Sequence, residues 1–306
     1  MNKMSLDEYK DFVKEERLRW FQTPYDLVYD NFITLGYDKA KKQYFKDNAS
    51  EIVEKLRENS WASFVPKERE FTSEMLLKLV DEETIKGMNG LEAIIWFTEN
   101  FPDHIYALTL SNTQSRRSRA GKEFESIIEL LLMGAGIPMD SQGNIGKQMF
   151  VNKGLGKLVD VVSPGVVEFI IDKNDTVLIS AKTTLRERWQ EVPEEMGRTG
   201  AKEMFLATLD ESISEEVLST LYEANIRIVT TKRIKEKYYS QNKRVLDFEK
   251  LIEICSNNYV QWNEYTYDAA ALDQMNRMIE VQIEKHSEHE FVLDYYRERM
   301  SRIESI

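Results

Sequence analysis

Two charged residues stand where the local pattern calls for apolar ones. Asp160 lies inside the β-branched run LVDVV, and Lys182 closes the run VLISAK. A charge within a buried-type strand conflicts with its surroundings, and such conflicts are expected at functional sites. Adjacent strands lie about 4.8 Å apart, so a carboxylate and an ammonium on two such neighbours can share one metal-bound phosphate. Phosphodiester hydrolysis asks for these groups: a carboxylate to hold the metal, and a cation to orient water and balance charge. Asp and Lys at this spacing are also common without any such role, so the pair needs support from the rest of the chain.

Two further stretches carry chemistry. Arg186, Glu187 and Arg188 follow Lys182 within the segment KTTLRERW. Arg matches O6 and N7 of guanine, and Glu accepts from N4 of cytosine, so the triplet holds the groups for two consecutive G·C pairs. Taken alone it fits the salt-bridged start of a helix at least as well. Upstream, Arg116, Arg117, Arg119 and Lys122 put four positive charges within seven residues of SRRSRAGKEFE. Such a cluster suits backbone phosphates, with Ser115 and Ser118 as additional donors.

The elements that must position these residues follow from periodicity. Ser5 precedes an apolar-periodic run and reads as a helix N-cap; further helices are predicted near 25–46, 49–60, 73–82 and 89–99. HIYALTLS, from residue 104, reads as a strand. A long helix then ends at Gly134 and Gly136, with Phe124, Ile127, Ile128, Leu131 and Leu132 on one face. Strands are predicted at 157–163, 166–172 and 176–183, a helix at 186–198, then strand 204–209, a helix, and strand 226–231. Strand–helix–strand alternation implies that part of the sheet is parallel. The chain from about residue 269 reads as one or two charged helices. The expected fold class is α/β: a mixed sheet flanked by helices, with a nuclease core at 104–232, a helical N-terminal region at 1–103 and a helical C-terminal region at 233–306, all in one compact unit.

Composition narrows the chemistry. The 306 residues carry a net charge of −12, which argues against nucleic acid unless positive charge is gathered locally. The single cysteine, Cys255, excludes an internal disulfide and a cysteine-based zinc site. His286 and His289 stand in a charged segment and read as a solvated helix face. The polar N-terminus is not that of a signal peptide and no apolar run is long enough to span a membrane, which points to a prokaryotic cytoplasm.

In its Asp–Lys spacing and strand–strand–helix context the chain resembles the PD-(D/E)XK nucleases. It departs from their common pattern at Ser180, two residues before Lys182, where a second carboxylate usually stands; a neutral Ser is no strong magnesium ligand. Glu195, on the predicted helix, matches a branch of restriction enzymes in which that acid has moved to the helix. KTTLRERW and SRRSRAGKEFE are both similar to segments of the EcoRII, PspGI and SsoII group, and the likeness is strongest over about 111–200.

That resemblance implies a restriction-endonuclease-like fold and a Mg²⁺-dependent type II enzyme cutting double-stranded DNA at a CCNGG-like site to give 5′-phosphate ends. It assigns Asp160, Lys182 and Glu195 to catalysis, with Glu125 as a further acid, and Asp160, Glu195 and the main-chain carbonyl of Ala181 to the metal. Arg186, Glu187, Arg188 and Gln114 would read bases, and Arg116, Arg117, Arg119 and Lys122 would hold the backbone. A symmetric dimer, or a dimer of dimers on DNA, would read both half-sites. Extruding the central bases would restore the spacing of CCGG, with Trp61 and Arg57, one helical turn apart, as stacking surfaces. Two other readings remain: a repair nuclease of the same fold with little sequence preference, and a DNA-binding regulator without chemistry.

Overall fold

The computed structural model describes residues 4–304, with the side chains of all of these except Asn144, Met149, Glu187, Arg188 and Glu304. The chain divides into two units, Met1–Leu27 with Glu58–Glu123, and Val28–Arg57 with Phe124–Ile306. These cut across the three segments read from the sequence. Residues 104–123 join the N-terminal helices, whereas 28–57 and 233–306 join the sheet.

The first unit is helical. Leu6–Trp20 opens with the expected cap: Ser5 Oγ accepts from the Glu8 amide while the Glu8 carboxylate takes the Ser5 amide, a reciprocal capping box. Tyr9, Val13, Phe71, Met75, Phe101 and Leu108 close its core, and the Tyr9 hydroxyl donates to the Met75 carbonyl at 3.0 Å. Residues 104–111 are not a strand. They belong to the helix Pro102–Gly134. Pro102 pre-sets the first turn, Leu108 turns into the core, and the hydroxyls of Thr109 and Thr113 bond back to the carbonyls of Ile105 and Thr109. The apparent alternation in HIYALTLS came from Tyr106 and Leu110, which are exposed.

The second unit is built on a six-stranded mixed sheet in the order β1 to β6. The strands are β1 (Asp140–Ser141), β2 (Val161–Ser163), β3 (Val177–Lys182), β4 (Met204–Thr208), β5 (Ile226–Thr230) and β6 (Leu246–Asp247). β1, β2 and β3 pair antiparallel, and β3 to β6 pair parallel. β3 and β4 are buried along nearly their whole length, as a sheet covered on both faces requires. The predicted apolar face Phe124, Ile127, Ile128, Leu131 and Leu132 is fully interior. Gly136, at φ +71°, follows this helix, and its amide bonds to the Met133 carbonyl, the left-handed conformation that favours glycine there.

Two strand predictions change. Residues 166–172 form the helix Val166–Ile171. Its first amide, on Val166, donates to Asp140 Oδ2 at 2.8 Å, a carboxylate at a helix N-terminus supplied from 26 residues upstream. The strand expected at 157–163 shortens to β2, although Asp160 still pairs through its backbone, its N–H donating to the Ile179 carbonyl at 2.9 Å. The helix expected at 186–198 is a 3-10 segment, Arg186–Glu191, followed by the α-helix Val192–Thr199, which has Pro193 in its first turn.

The histidine prediction also changes. His286 is buried, its Nδ1 lies 3.2 Å from that of His289, and the His289 ring meets Tyr29 edge-on at 4.5 Å. The helices Ala269–Lys285 and Glu290–Glu304 pack on each other here, and the turn between them buries His286 while Ser287 and Glu288 stay exposed. No helix of the described residues is long and apolar enough to cross a membrane.

Candidate active site

The site grows from the end of β3 and the segment leading into β2. Asp160 and Lys182 meet there: Lys182 Nζ lies 2.9 Å from Asp160 Oδ2, and the same oxygen accepts the Ala181 amide at 2.6 Å. Lys182 Nζ also donates to the Ala181 carbonyl at 3.0 Å. The side chains of Lys182 and Asp160 are only 13% and 8% exposed, so both charges have lost most of their water. Such a pair gives little net stability over a well-packed apolar one, and its presence fits a chemical use.

Glu195 reaches the same stretch of backbone. Its Oε2 accepts the Lys157 amide at 3.0 Å, and its Oε1 takes Arg198 Nη1 at 3.1 Å. The helix Val192–Thr199 is thereby tied to the residues that deliver Asp160. Ser180 is fully buried, and its Oγ has no hydrogen-bond partner among the described residues. The position usually given to the second acid therefore holds a buried, neutral hydroxyl.

These groups suit a hard divalent cation. The Lys182 ammonium is gathered between Asp160 Oδ2 and the Ala181 carbonyl, two of the oxygen donors expected for the metal. Carboxylate and carbonyl oxygens are the ligands of Mg²⁺, which commonly takes one or two carboxylates and keeps several waters. Among the described residues no three His, Cys, Asp or Glu side chains gather closely enough to hold a metal. Glu125, half-buried on the helix Pro102–Gly134, thus completes no such triad with Asp160 and Glu195.

The expected DNA-reading residues are placed unevenly. Arg186 is exposed and adopts a left-handed backbone, φ +42°, directly after the buried Leu185. The side chains of Glu187 and Arg188 lie outside those described. In the helical unit Gln114, Arg117 and Lys122 are exposed. Arg116 is half-exposed, ion-paired with the buried Glu68, and 5.8 Å from the centre of the Trp61 ring. Trp61 itself is 43% exposed.

Arg119 turns inward instead. Its side chain is 12% exposed, its Nη1 donates to the Gln22 carbonyl at 2.9 Å, and its guanidinium stands 5.0 Å from the Phe64 ring centre. Burial lowers its pKa from the usual arginine value, opposed by Glu123. Arg57, half-buried, belongs to the sheet unit. The sequence reading missed Arg198, although its spacing from Glu195 is that of a helical ion pair, and it missed Gly156 and Asp210, which nothing local marks.

Sheet order, flanking helices and the Asp160–Lys182 pair together define a restriction-endonuclease-like nuclease. Residues 91–252 match the family model described as EcoRII C terminal. The chain is 52% identical over 303 residues to the type II restriction enzyme SsoII of Shigella sonnei, covering 99% of both proteins. Metal-depleted Ecl18kI in complex with uncleaved DNA superposes with a TM-score of 0.92 at 52% identity, over 97% of this chain and 99% of that one. The PspGI–substrate DNA complex shares the fold at a TM-score of 0.58 and 18% identity, over 79% of this chain and 94% of that one. The chain belongs to the EcoRII C-terminal family, among the type II restriction endonucleases.

Proposed function

We propose that the protein hydrolyses both strands of double-stranded DNA at a CCNGG-like sequence, with Mg²⁺, leaving 5′-phosphate ends. The observation that carries this is the buried Asp160–Lys182 pair at the end of β3, with Glu195 bonded to the segment that delivers Asp160. The full-length similarity to the type II restriction enzyme SsoII, and to metal-depleted Ecl18kI in complex with uncleaved DNA, supports it.

Asp160, Glu195 and the Ala181 carbonyl would hold the metal. Bound Mg²⁺ supplies a Lewis acid for the phosphate oxygens and lowers the pKa of water. Lys182 orients the attacking water and offsets the negative charge that builds on the phosphoryl oxygens. Water adds to phosphorus, the P–O3′ bond breaks, and the proton passes to O3′, leaving a 3′-hydroxyl and a 5′-phosphate.

Arg186 and Arg188 would each take a guanine and Glu187 the paired cytosines, with Gln114 at the centre of the site. Arg116, Arg117 and Lys122 would meet backbone phosphates. A homodimer reads CC…GG from two half-sites, and the exposed face of Trp61 offers a stacking surface for an extruded central base.

Digestion of a plasmid of known sequence in Mg²⁺, followed by run-off sequencing, tests the proposal. It predicts discrete fragments ending within CCNGG sites and carrying 5′-phosphates. A continuous smear, or intact plasmid, would contradict it.

A further inference from the structure

The exposed Arg186 opens the Arg186–Glu191 segment in a left-handed backbone conformation. For a side chain bearing a Cβ, that conformation is unfavourable and persists only where the surroundings impose it. The residue before it is held by two contacts. The Leu185 amide donates to Asp210 Oδ2 at 3.0 Å, and the Leu185 side chain is buried in the sheet's apolar core.

Asp210 lies just beyond β4, whose Thr208 is the register partner of Lys182. It is itself held from several sides. Its amide donates to Thr208 Oγ1 at 3.2 Å, its carbonyl accepts the Tyr239 hydroxyl at 2.9 Å, and its Oδ1 accepts the Ser212 amide at 3.1 Å and the Ser212 hydroxyl at 3.2 Å. Tyr239 is buried in the same core as Leu185, and its oxygen also takes the Ile213 amide at 3.0 Å. A second tie runs alongside, from the Leu209 amide to the Thr183 carbonyl at 3.3 Å.

We propose that Asp210 is a positioning residue for sequence discrimination: its carboxylate clamps the Leu185 amide and so fixes the direction in which the 186–188 element leaves the sheet. This rests on the reading of residues 186–188 as the base-reading element. The division of labour is chemical. One carboxylate oxygen closes the turn at Ser212 and the other is left for Leu185, so both oxygens are needed as acceptors. An amide keeps one acceptor and turns a donor toward an N–H, and an alanine keeps neither.

The test compares Asp210→Asn, Asp210→Ala and Tyr239→Phe in the full-length protein. Each is measured for kcat/KM on a CCNGG duplex, for kcat/KM on the same duplex with one outer G·C pair changed, and for Tm. Leaving one buried amide unpaired, a penalty that amounts to about tenfold or more in an equilibrium, predicts at least a tenfold fall in discrimination for Asp210→Ala. Asp210→Asn should lie between it and wild type. Tyr239→Phe loosens the same loop without touching the carboxylate, so its Tm falls while discrimination holds.

Wild-type discrimination in Asp210→Ala would overturn the proposal, as would a loss in Tyr239→Phe that follows its Tm. If Asp210→Ala does not fold, Asp210→Asn decides by the same criterion. Arg186→Ala separates the two levels. Unchanged site choice in that variant removes the base-reading assignment and the proposal with it. Lost site choice there, with an unaffected Asp210→Ala, removes the clamp alone.

Discussion

Gly156 shows how closely the Glu195 carboxylate is fitted. A Cβ at Gly156 would run into Glu195 Oε2, and the backbone there has φ +76°. Gly156→Ala is therefore expected to push Glu195 off the Lys157 amide. Cleavage should fall by up to about 10²-fold, the size of effect that an ångström of misplacement produces, and the Mg²⁺ concentration for half-maximal rate should rise. Titrating Mg²⁺ at fixed DNA reads both, and an unchanged titration would mean that Glu195 does not hold the metal. At this scale much of the site was legible. Asp160 and Lys182 broke their local pattern, and the structure brings them to 2.9 Å. Glu195 was singled out because Ser180 departs from the pattern of the nucleases the chain resembles, not through periodicity, and the structure bonds it to the Lys157 amide. The clamp on Leu185 was not legible, because Asp210 sits in an ordinary polar turn and its role depends on parallel pairing between β3 and β4.

Among the elements, those with strong internal signals were read correctly. β3, β4 and β5 appear close to their expected bounds, and the long helix ends at its predicted glycines. The failures came where a distant group decided the outcome. VVEFII has a β-branched composition, yet it is helical because Asp140 caps Val166 from another strand. That helix buries Glu168, whose Oε1 accepts the Tyr267 hydroxyl at 3.1 Å and whose Oε2 has no partner among the described residues. Burial raises the Glu168 pKa above the usual carboxylate value, with Arg299 opposing it. A carboxyl raised in the folded state contributes its stability below the unfolded pKa of about 4.3, and loses it as pH rises through the folded value. Glu168→Gln should remove this dependence. Urea denaturation at pH 5 and pH 8 should show the variant gaining on wild type at the higher pH. A stability difference that is the same at both would show that Glu168 titrates normally.

Over the whole molecule, the net charge of −12 conceals the local basic cluster on the helix Pro102–Gly134. Its members have different surroundings, which the sequence could not distinguish. Arg117 is exposed, and Arg119 is folded over Phe64 and bonded to Gln22. Arg117→Ala should weaken binding to all DNA sequences alike and reduce the slope of log affinity against log salt by about one. Arg119→Ala should instead destabilise the protein by about 1–3 kcal/mol. Salt titration of DNA binding alongside urea denaturation separates them, and an exchange of the two phenotypes would refute the assignment.

In the proposed mechanism, hydrolysis depends on the ammonium held against Asp160 Oδ2 and the Ala181 carbonyl. The most direct test is Lys182→Ala, assayed for cleavage and for binding to a CCNGG duplex in the same buffer. The Ala181 amide still partners Asp160 in this variant, so the fold and specific binding should persist. Cleavage should drop by about 10²–10³-fold or more, the loss expected on removing one group that stabilises the transition-state charge. Cleavage at the wild-type rate would contradict the account.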